Sequence, residues 1–430
     1  MCIVLAGHAR AAFDQLIVHG STSGNSVVRV ANVGGTGAPT TQGIKLIDVQ
    51  GASNGTFALQ GNYVFQGQQA VVAGAYAYRL YQGGTSTPND GDWYLRSALI
   101  NGSDPTPPLY QPGAPLYEAY AGVLQQINTV DSLYERVSDR TWAGNTPATD
   151  SMTPNDGVWM RVQGASQTYK PEVTTSGADY GISTWKTEAG IDARLGDTSS
   201  GALMAGAALQ AGRYQSNVTS VYGTGRIKTN SYGINTTLTW YGDGGFYVDG
   251  QWRWTRFDSD LYSTSAAQVL KNGDHGSGYA VGVEAGQRFR LGDAWSLIPQ
   301  AQVSYGRAAF NAFDDVYGAN VSVQQGRDLV GRAGLAIDYR STWQGARGPI
   351  DSHLYAIANL YRDFEGATRV DVSGTDFISR NERLWGGLGI GGSLDWGRYS
   401  IYGEVRGKTG LSHFGDSHEV TGTLGFRVKW

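Results

Sequence analysis

An all-β chain with one long helix is the fold class this sequence predicts, ending in an antiparallel barrel of about twelve strands. Three observations predict it. From about residue 155 onward, apolar and polar residues alternate with a period of two over long segments, the pattern of strands with one apolar face. Before residue 100 the β-forming runs are short and evenly punctuated by glycine turns. Between these regions, one stretch carries apolar residues every three or four positions, the helical period.

Composition sets the limits. Glycine accounts for 62 residues, aromatics for 11% and charged residues for only 16%, well under the quarter or so usual in soluble globular chains. That mixture suits turn-rich β-structure and excludes a disordered or coiled-coil chain. The net charge of −4, without a basic stripe, gives no reason to expect nucleic acid as a partner. No apolar run reaches the ~18 residues of a membrane helix; barrel strands, which leave only a weak alternating signal, stay open. Cys2 is the single cysteine, so an intramolecular disulfide or thiolate cluster is ruled out. Cys2 to Gly7 is a short apolar run before Ala9-Arg10-Ala11, faintly like a cleavage site but lacking the basic start and length of a leader. The expectation is a fragment.

In chain order, the first runs are Leu16-Ile17-Val18-His19-Gly20, Ser26-Val27-Val28-Arg29-Val30, Ile44-Lys45-Leu46-Ile47-Asp48-Val49 and Thr56-Phe57-Ala58-Leu59. Such spacing fits a sandwich or a stacked solenoid. An aromatic segment follows, with Tyr76, Tyr78 and Leu80, a turn through Pro88-Asn89-Asp90-Gly91, then Trp93, Tyr94 and Leu95. It reads as a hairpin whose rings cap the open end of a β-stack. These blocks, with Val30-Ala31-Asn32-Val33-Gly34-Gly35 and Gly43-Ile44-Lys45-Leu46-Ile47, resemble the C-terminal end of a pertactin-like autotransporter passenger over roughly 14–98. The resemblance implies the last rungs of a right-handed parallel β-helix in 1–55 and an autochaperone cap in 56–100.

After Pro112-Gly113-Ala114-Pro115, the residues Leu116, Tyr117, Tyr120, Val123, Leu124, Ile127, Val130, Tyr134 and Val137 keep the helical period. The spacing predicts one helix over 116–140, ~36 Å long, within a linker of 101–154. Alone it would pass for an amphipathic helix on a soluble core. Its flanks favour a helix inside a barrel, where Glu118, Gln125, Gln126, Asn128, Asp131, Glu135 and Arg136 can meet lumenal charges across water.

Strands are expected near 155–166, 178–196, 201–216, 228–241, 245–259, 277–291, 295–309, 325–342, 351–364, 381–396, 398–410 and 418–430. Phe246, Val248, Gly250, Trp252 and Trp254, for example, alternate with Tyr247, Asp249, Gln251, Arg253 and Thr255. The strands are longer than the usual five or six residues, aromatics end many apolar rows, and charges sit among glycines on the polar face. A transmembrane barrel explains all three. Asp249, Arg253, Glu284, Arg288, Arg332 and Asp338 are the candidate lumenal charges, the acids balancing the arginines. Ser263 to Ser277 and Phe310 to Gly326 read as extracellular loops. In the last strand Val420, Gly422, Leu424, Phe426, Val428 and Trp430 share one face. It resembles the signal read by the barrel-assembly machinery through β-augmentation.

Residues 155–430 also resemble the autotransporter translocator family, through Gly157-Val158-Trp159-Met160-Arg161-Val162, Tyr247-Val248-Asp249, Val283-Glu284-Ala285-Gly286, Ile298 to Tyr305 and the ending Gly422 to Trp430. The resemblance implies type V secretion: a twelve-stranded outer-membrane barrel, its lumen crossed by a helix (Tyr120, Val123, Leu124, Ile127, Asn128, Tyr134), exporting its own passenger. It implies as partners outer-membrane lipid, assembly machinery, periplasmic chaperones, the passenger and, through the passenger, host surface ligands. Some members cut themselves at paired asparagines in that helix; here Asn128 precedes Thr129, so self-cleavage is not carried over.

No enzyme motif emerges. Gly415-Asp416-Ser417-His418 resembles a lipase block but falls in a turn between strands, where chance explains it. The six histidines lack metal-ligand spacing; His413 and His418, with Asp416 between them, read as a solvated loop. No cofactor or metal is expected. The alternatives are a displayed, esterase-like enzyme whose catalytic domain is missing here, and a porin-like channel.

Overall fold

The computed structural model describes residues 2–6, 12–99, 106–137, 156–346 and 348–430. The N-terminal strands stack in parallel. Asn25–Val33 lies between Cys2–Ala6 and Thr56–Gln60 in one sheet, and Leu16–Val18 pairs with Ile44–Val49 in another. Leu16 meets Ile47 and Asn25 meets Thr56, so each turn of chain lies on the one before. The corners stack as well: His19 Nδ1 and Gln50 Oε1 are 2.8 Å apart, 31 residues on in sequence. Gly51 has to be glycine, because a Cβ there would stand 2.7 Å from the Gly20 backbone.

Tyr76–Gln82 and Trp93–Arg96 form an antiparallel hairpin that pairs with the exposed edge of Ile44–Val49 and ends the parallel stack. Tyr63–Phe65 and Gln68–Ala73 extend the same sheet.

Residues 156–430 form a closed antiparallel barrel. Its twelve long strands are Gly157–Tyr169, Asp179–Thr198, Gly201–Ser220, Gly223–Gly242, Phe246–Ser263, Gln268–Gln287, Trp295–Phe310, Asn320–Gly345, Gly348–Asp363, Leu384–Trp396, Tyr399–Gly410 and His418–Lys429. The last pairs with the first from Lys429↔Gly157 to His418↔Thr168, which closes the sheet and removes its edges. Leu388 and Leu209, about 70% exposed (71% and 68%), lie on the outer face, whereas Asp249, Glu284 and Arg427 point inward and are sealed. That inversion of the soluble pattern is what a barrel standing in lipid requires. The two ends of the barrel segment, Gly157 and Lys429, and most of the short turns mark the periplasmic end; the longer loops mark the extracellular end.

The structure corrects two sequence expectations about loops and one about the helix. Ser263 to Ser277 is mostly strand: the turn is confined to 264–267, and the first part of Gln268–Gln287, up to about 277, rises above the membrane where its outer face is largely polar, which hid its alternation. Phe310 to Gly326 holds the short strand Phe313–Asp314 and the start of Asn320–Gly345. The single helix is two: α1, Ala114–Ile127, and α2, Leu133–Val137, separated by 128–132; residues 138–140 lie outside the described residues.

Candidate functional site

The lumen and the chain threading it form the site. α1 begins after Gly113 with proline in its first turn, where the missing amide costs nothing. Leu116, Tyr117, Tyr120, Val123 and Leu124 are fully buried against the wall near the extracellular mouth. At ~1.5–3 kcal/mol per side chain, these five contribute on the order of 10 kcal/mol to docking. Tyr120 stacks on Phe310 at 4.5 Å and donates to Asp274 at 3.1 Å. Glu118 accepts the amides of Thr175 and Ser176 (2.9 and 2.8 Å) and the Thr174 hydroxyl (2.8 Å), tying the first extracellular loop to the helix.

A strip of glycines on the strand Gln268–Gln287 receives the rest of the tether. A Cβ at Gly278 would stand 2.8 Å from the Asn128 side chain, and one at Gly282 would stand 2.8 Å from Val130. These inward glycines let the chain lie against the wall.

The helix breaks where the wall supplies better partners than its own next turn. The Asn128 side-chain amide donates to the Tyr279 and Arg307 carbonyls at 3.0 and 3.1 Å. Arg253 donates to the Thr129 carbonyl, and Gln251 to that of Asp131 at 2.6 Å. Asp131 then faces three cations: Arg161 at 2.5 Å, Arg253 at 3.3 Å and Lys186 at 3.7 Å. Glu188 completes this buried network, accepting from Arg161 and from Arg253. In α2, Arg136 pairs with Asp249 at 2.6 Å, Tyr134 donates to Asp338 at 2.8 Å, and the Leu133 amide donates to Glu284 at 3.0 Å. Beside the break, a cavity of about 180 Å³ remains, lined by Gln126, Asp131, Lys186, Arg406 and Glu419 among others.

The structure gives Asp249 and Glu284 each a cation, in pairs the sequence did not assign. Asp249 balances Arg136 of the tether rather than Arg253, which engages Asp131 and Glu188; Glu284 does pair with Arg332, at 2.8 Å. Arg288 lies half-buried at the periplasmic rim, donating to Ser296. Sequence reasoning missed Arg161, Lys186 and Glu188 as network members. Charges placed every second residue among Trp185, Thr187 and Ala189 were the available signal.

At the mouth the N-terminal part docks on the barrel. Gln111 Nε2 donates at once to the Gly74 carbonyl and to Asp315 of an extracellular loop, both at 3.0 Å. Tyr117 donates to the same carboxylate at 2.8 Å. Tyr110 lies 4.9 Å from both Tyr222 and Phe377. Phe377 belongs to the hairpin Ala367–Val372 and Thr375–Arg380, which folds over α1 with Val370 and Val372 sealed beneath it.

In the cap, Trp93 meets Phe57 edge-on at 5.3 Å; Tyr76 and Leu95 are buried and Leu80 half-buried. Tyr78 donates to the Ala38 carbonyl at 2.7 Å, and Tyr94 to Asp90 at 2.7 Å. Burial pushes Asp90 upward, but hydrogen bonds from Thr87, Tyr94 and the Asp92 amide outweigh it and hold the carboxyl below its usual range. In the last strand Val420, Leu424, Phe426 and Trp430 are exposed on the lipid face, with Gly422 and Val428 half-exposed beside them. His413 and His418 do not converge: His418 faces the Gly415 carbonyl and Asp416 pairs with Lys170. Glu172 and Glu382 are the acids near His413, and Glu382 already accepts the His413 amide at 2.8 Å.

The Autotransporter beta-domain family model matches residues 158–406, and that of the Autochaperone Domain Type 1 matches 1–80. The chain is 46% identical to the adhesin BmaC autotransporter of Brucella suis over 97% of its length, but spans only 13% of that relative. Among solved structures, the transport unit of the autotransporter AIDA-I from Escherichia coli superposes with a TM-score of 0.60 at 15% identity, covering 75% of this chain and all (100%) of that one. The translocator domain of the autotransporter NalP from Neisseria meningitidis gives 0.51 at 17%, covering 66% and 91%.

Proposed function

Since this chain belongs to the autotransporter family and is the outer-membrane translocator of a passenger, we propose that it is the secretion and anchoring end of a surface adhesin, in the state reached after export. One observation carries the reading: α1 fills the extracellular part of the lumen and leads directly into a cap docked on the mouth. The chain therefore already runs through the pore to the outside, and the filled lumen argues against an open porin. The adhesive role is supported by the Brucella relative, named an adhesin. No enzymatic role is proposed.

The parallel strands of the first sixty residues are read as the last rungs of a β-helix that continues in the passenger. On this reading the cap supplies the folding nucleus outside the cell. The outward last strand is the segment offered to the assembly machinery, with chaperones holding the chain beforehand. On this reading, folding on the far side biases the movement. Replacing Trp93 and Tyr76 with serine tests this. Truncating a buried tryptophan alone costs about 3–5 kcal/mol, enough to unfold the cap. The barrel should still insert, seen as heat-modifiable mobility on a gel, while protease-accessible passenger at the surface falls. Normal display would refute the role of the cap.

A further inference from the structure

We propose that the outer wall carries a site for the phosphate groups of a phosphorylated glycolipid of the outer leaflet, built on Arg307 and Arg327. The site goes beyond secretion and rests on the outer-membrane placement of the barrel. On the strand Trp295–Phe310 the odd-numbered residues face outward: Trp295, Val303 and Arg307 are exposed and Tyr305 is half-exposed. Trp295 packs against Tyr339 at 4.9 Å on the periplasmic side. Tyr305 follows it ten residues later. At ~3.4 Å per residue and a tilt of ~40°, that separation spans about 26 Å, the height of the apolar band of such barrels. Arg307, the next outward residue, therefore stands at the outer headgroup level.

Arg307 and Arg327 are directly opposed across two neighbouring strands. Like charges in that position destabilise a sheet unless an anion lies between them. Arg327 turns aside to Glu365 at 2.9 Å, a pair exposed on both sides and easily exchanged. Arg307 has no carboxylate within 4.0 Å among the described residues. Tyr279 is paired with Arg307 on its other side, its ring 6.2 Å from that of Tyr305, so two phenols lie just below the guanidinium groups. Beneath them Val281, Val283, Val303 and Leu335 give an exposed apolar track. Two guanidinium forks above phenols and an apolar strip match phosphates set on a sugar with acyl chains below, since arginine binds phosphate through paired N–H groups. The other charges nearby are largely engaged: Arg256 with Asp258 at 3.7 Å, and Asp258 with His275 at 2.5 Å.

The test uses the full chain refolded in dodecyl maltoside, with bis-phosphorylated lipid A, phosphatidylglycerol and inorganic phosphate as separate probes, read by native mass spectrometry. Wild-type protein should retain lipid A in preference to phosphatidylglycerol. The double variant Arg307→Gln with Arg327→Gln should bind it about tenfold or more weakly, each bidentate contact being lost. The paired lysine variant should lie between them, and heat-modifiable mobility confirms that each barrel is folded. Three results would overturn the proposal: unchanged lipid A binding in the glutamine variant, equal retention of phosphatidylglycerol by wild type, or displacement by inorganic phosphate alone.

Discussion

Replacing Asp131 with asparagine removes one of two carboxylates from a sealed network that also holds Arg161, Lys186 and Arg253. Asp131 is 7% exposed and the three cations between 3% and 7%, so bulk water does not bathe the lost charge and only the adjoining cavity can hydrate it. Breaking a buried ion pair on one side costs about 3–5 kcal/mol, because the remaining charge stays uncompensated. At ~1.4 kcal/mol per factor of ten, the segment 128–137 should open roughly a hundred to a few thousand times more often. α1 should hold, since its docking rests on the fully buried Leu116, Tyr117, Tyr120, Val123 and Leu124 rather than on this network. Hydrogen exchange measured by mass spectrometry on the refolded barrel separates the two. Peptides over 128–137 should exchange faster by that factor, and those over 116–126 should not change. Adding Lys186→Gln returns the balance to one cation in excess, as in the unsubstituted network, and should restore a large part of the protection. Unchanged exchange in Asp131→Asn, or equal loosening of α1, would refute the clasp.

Two further outcomes follow from the cap and the lipid face. Asp90 is held below its usual range in the folded hairpin, so it adds stability above the ordinary carboxylate value of 3.8 that is lost as pH falls through the depressed folded value. Trp93 fluorescence should therefore report loosening of the cap only below about pH 4, and Asp90→Asn should weaken the cap at neutral pH while flattening that acid limb. In the last strand, Leu424→Arg puts a charge on the lipid face and should cost about 2–4 kcal/mol in urea unfolding from vesicles, whereas Trp430→Arg at the interface should cost about 0–1 kcal/mol; equal costs would refute the assigned depth.

The barrel was legible because lipid and lumen lie one residue apart along every strand. Phe246, Val248, Trp252 and Trp254 face lipid while Tyr247, Asp249 and Arg253 are sealed inside, so polarity alternates over the lipid-spanning part of the strand. Alternation faded over 268–276, where the strand leaves the membrane and water bathes its outer face, and there the sequence read as a loop. The helix break was hidden for a different reason. Val130 and Tyr134 keep the helical phase, while the groups that unwind 128–132, Arg253 and Gln251, lie more than a hundred residues away and act on backbone carbonyls. Charge partners were similarly opaque: Asp249 and Arg136 are brought together only because α2 threads the lumen. The wall glycines Gly278 and Gly282 carried a readable trace of the tether, alternate small residues facing inward in a strand otherwise lined with bulk.

Gln111 bridges the cap and the barrel with its one side chain, beside the Thr375–Tyr76 hydrogen bond and Tyr110 against Tyr222 and Phe377. With the passenger acting as the proposed adhesin, this junction lies where force from it would enter the barrel. A pull on the passenger reaches the Gly74 backbone and the extracellular loop of Asp315 before it reaches α1. The closed ring of strands then shares the load as a hoop, and the threaded segment is spared axial tension until the seat of the cap gives way.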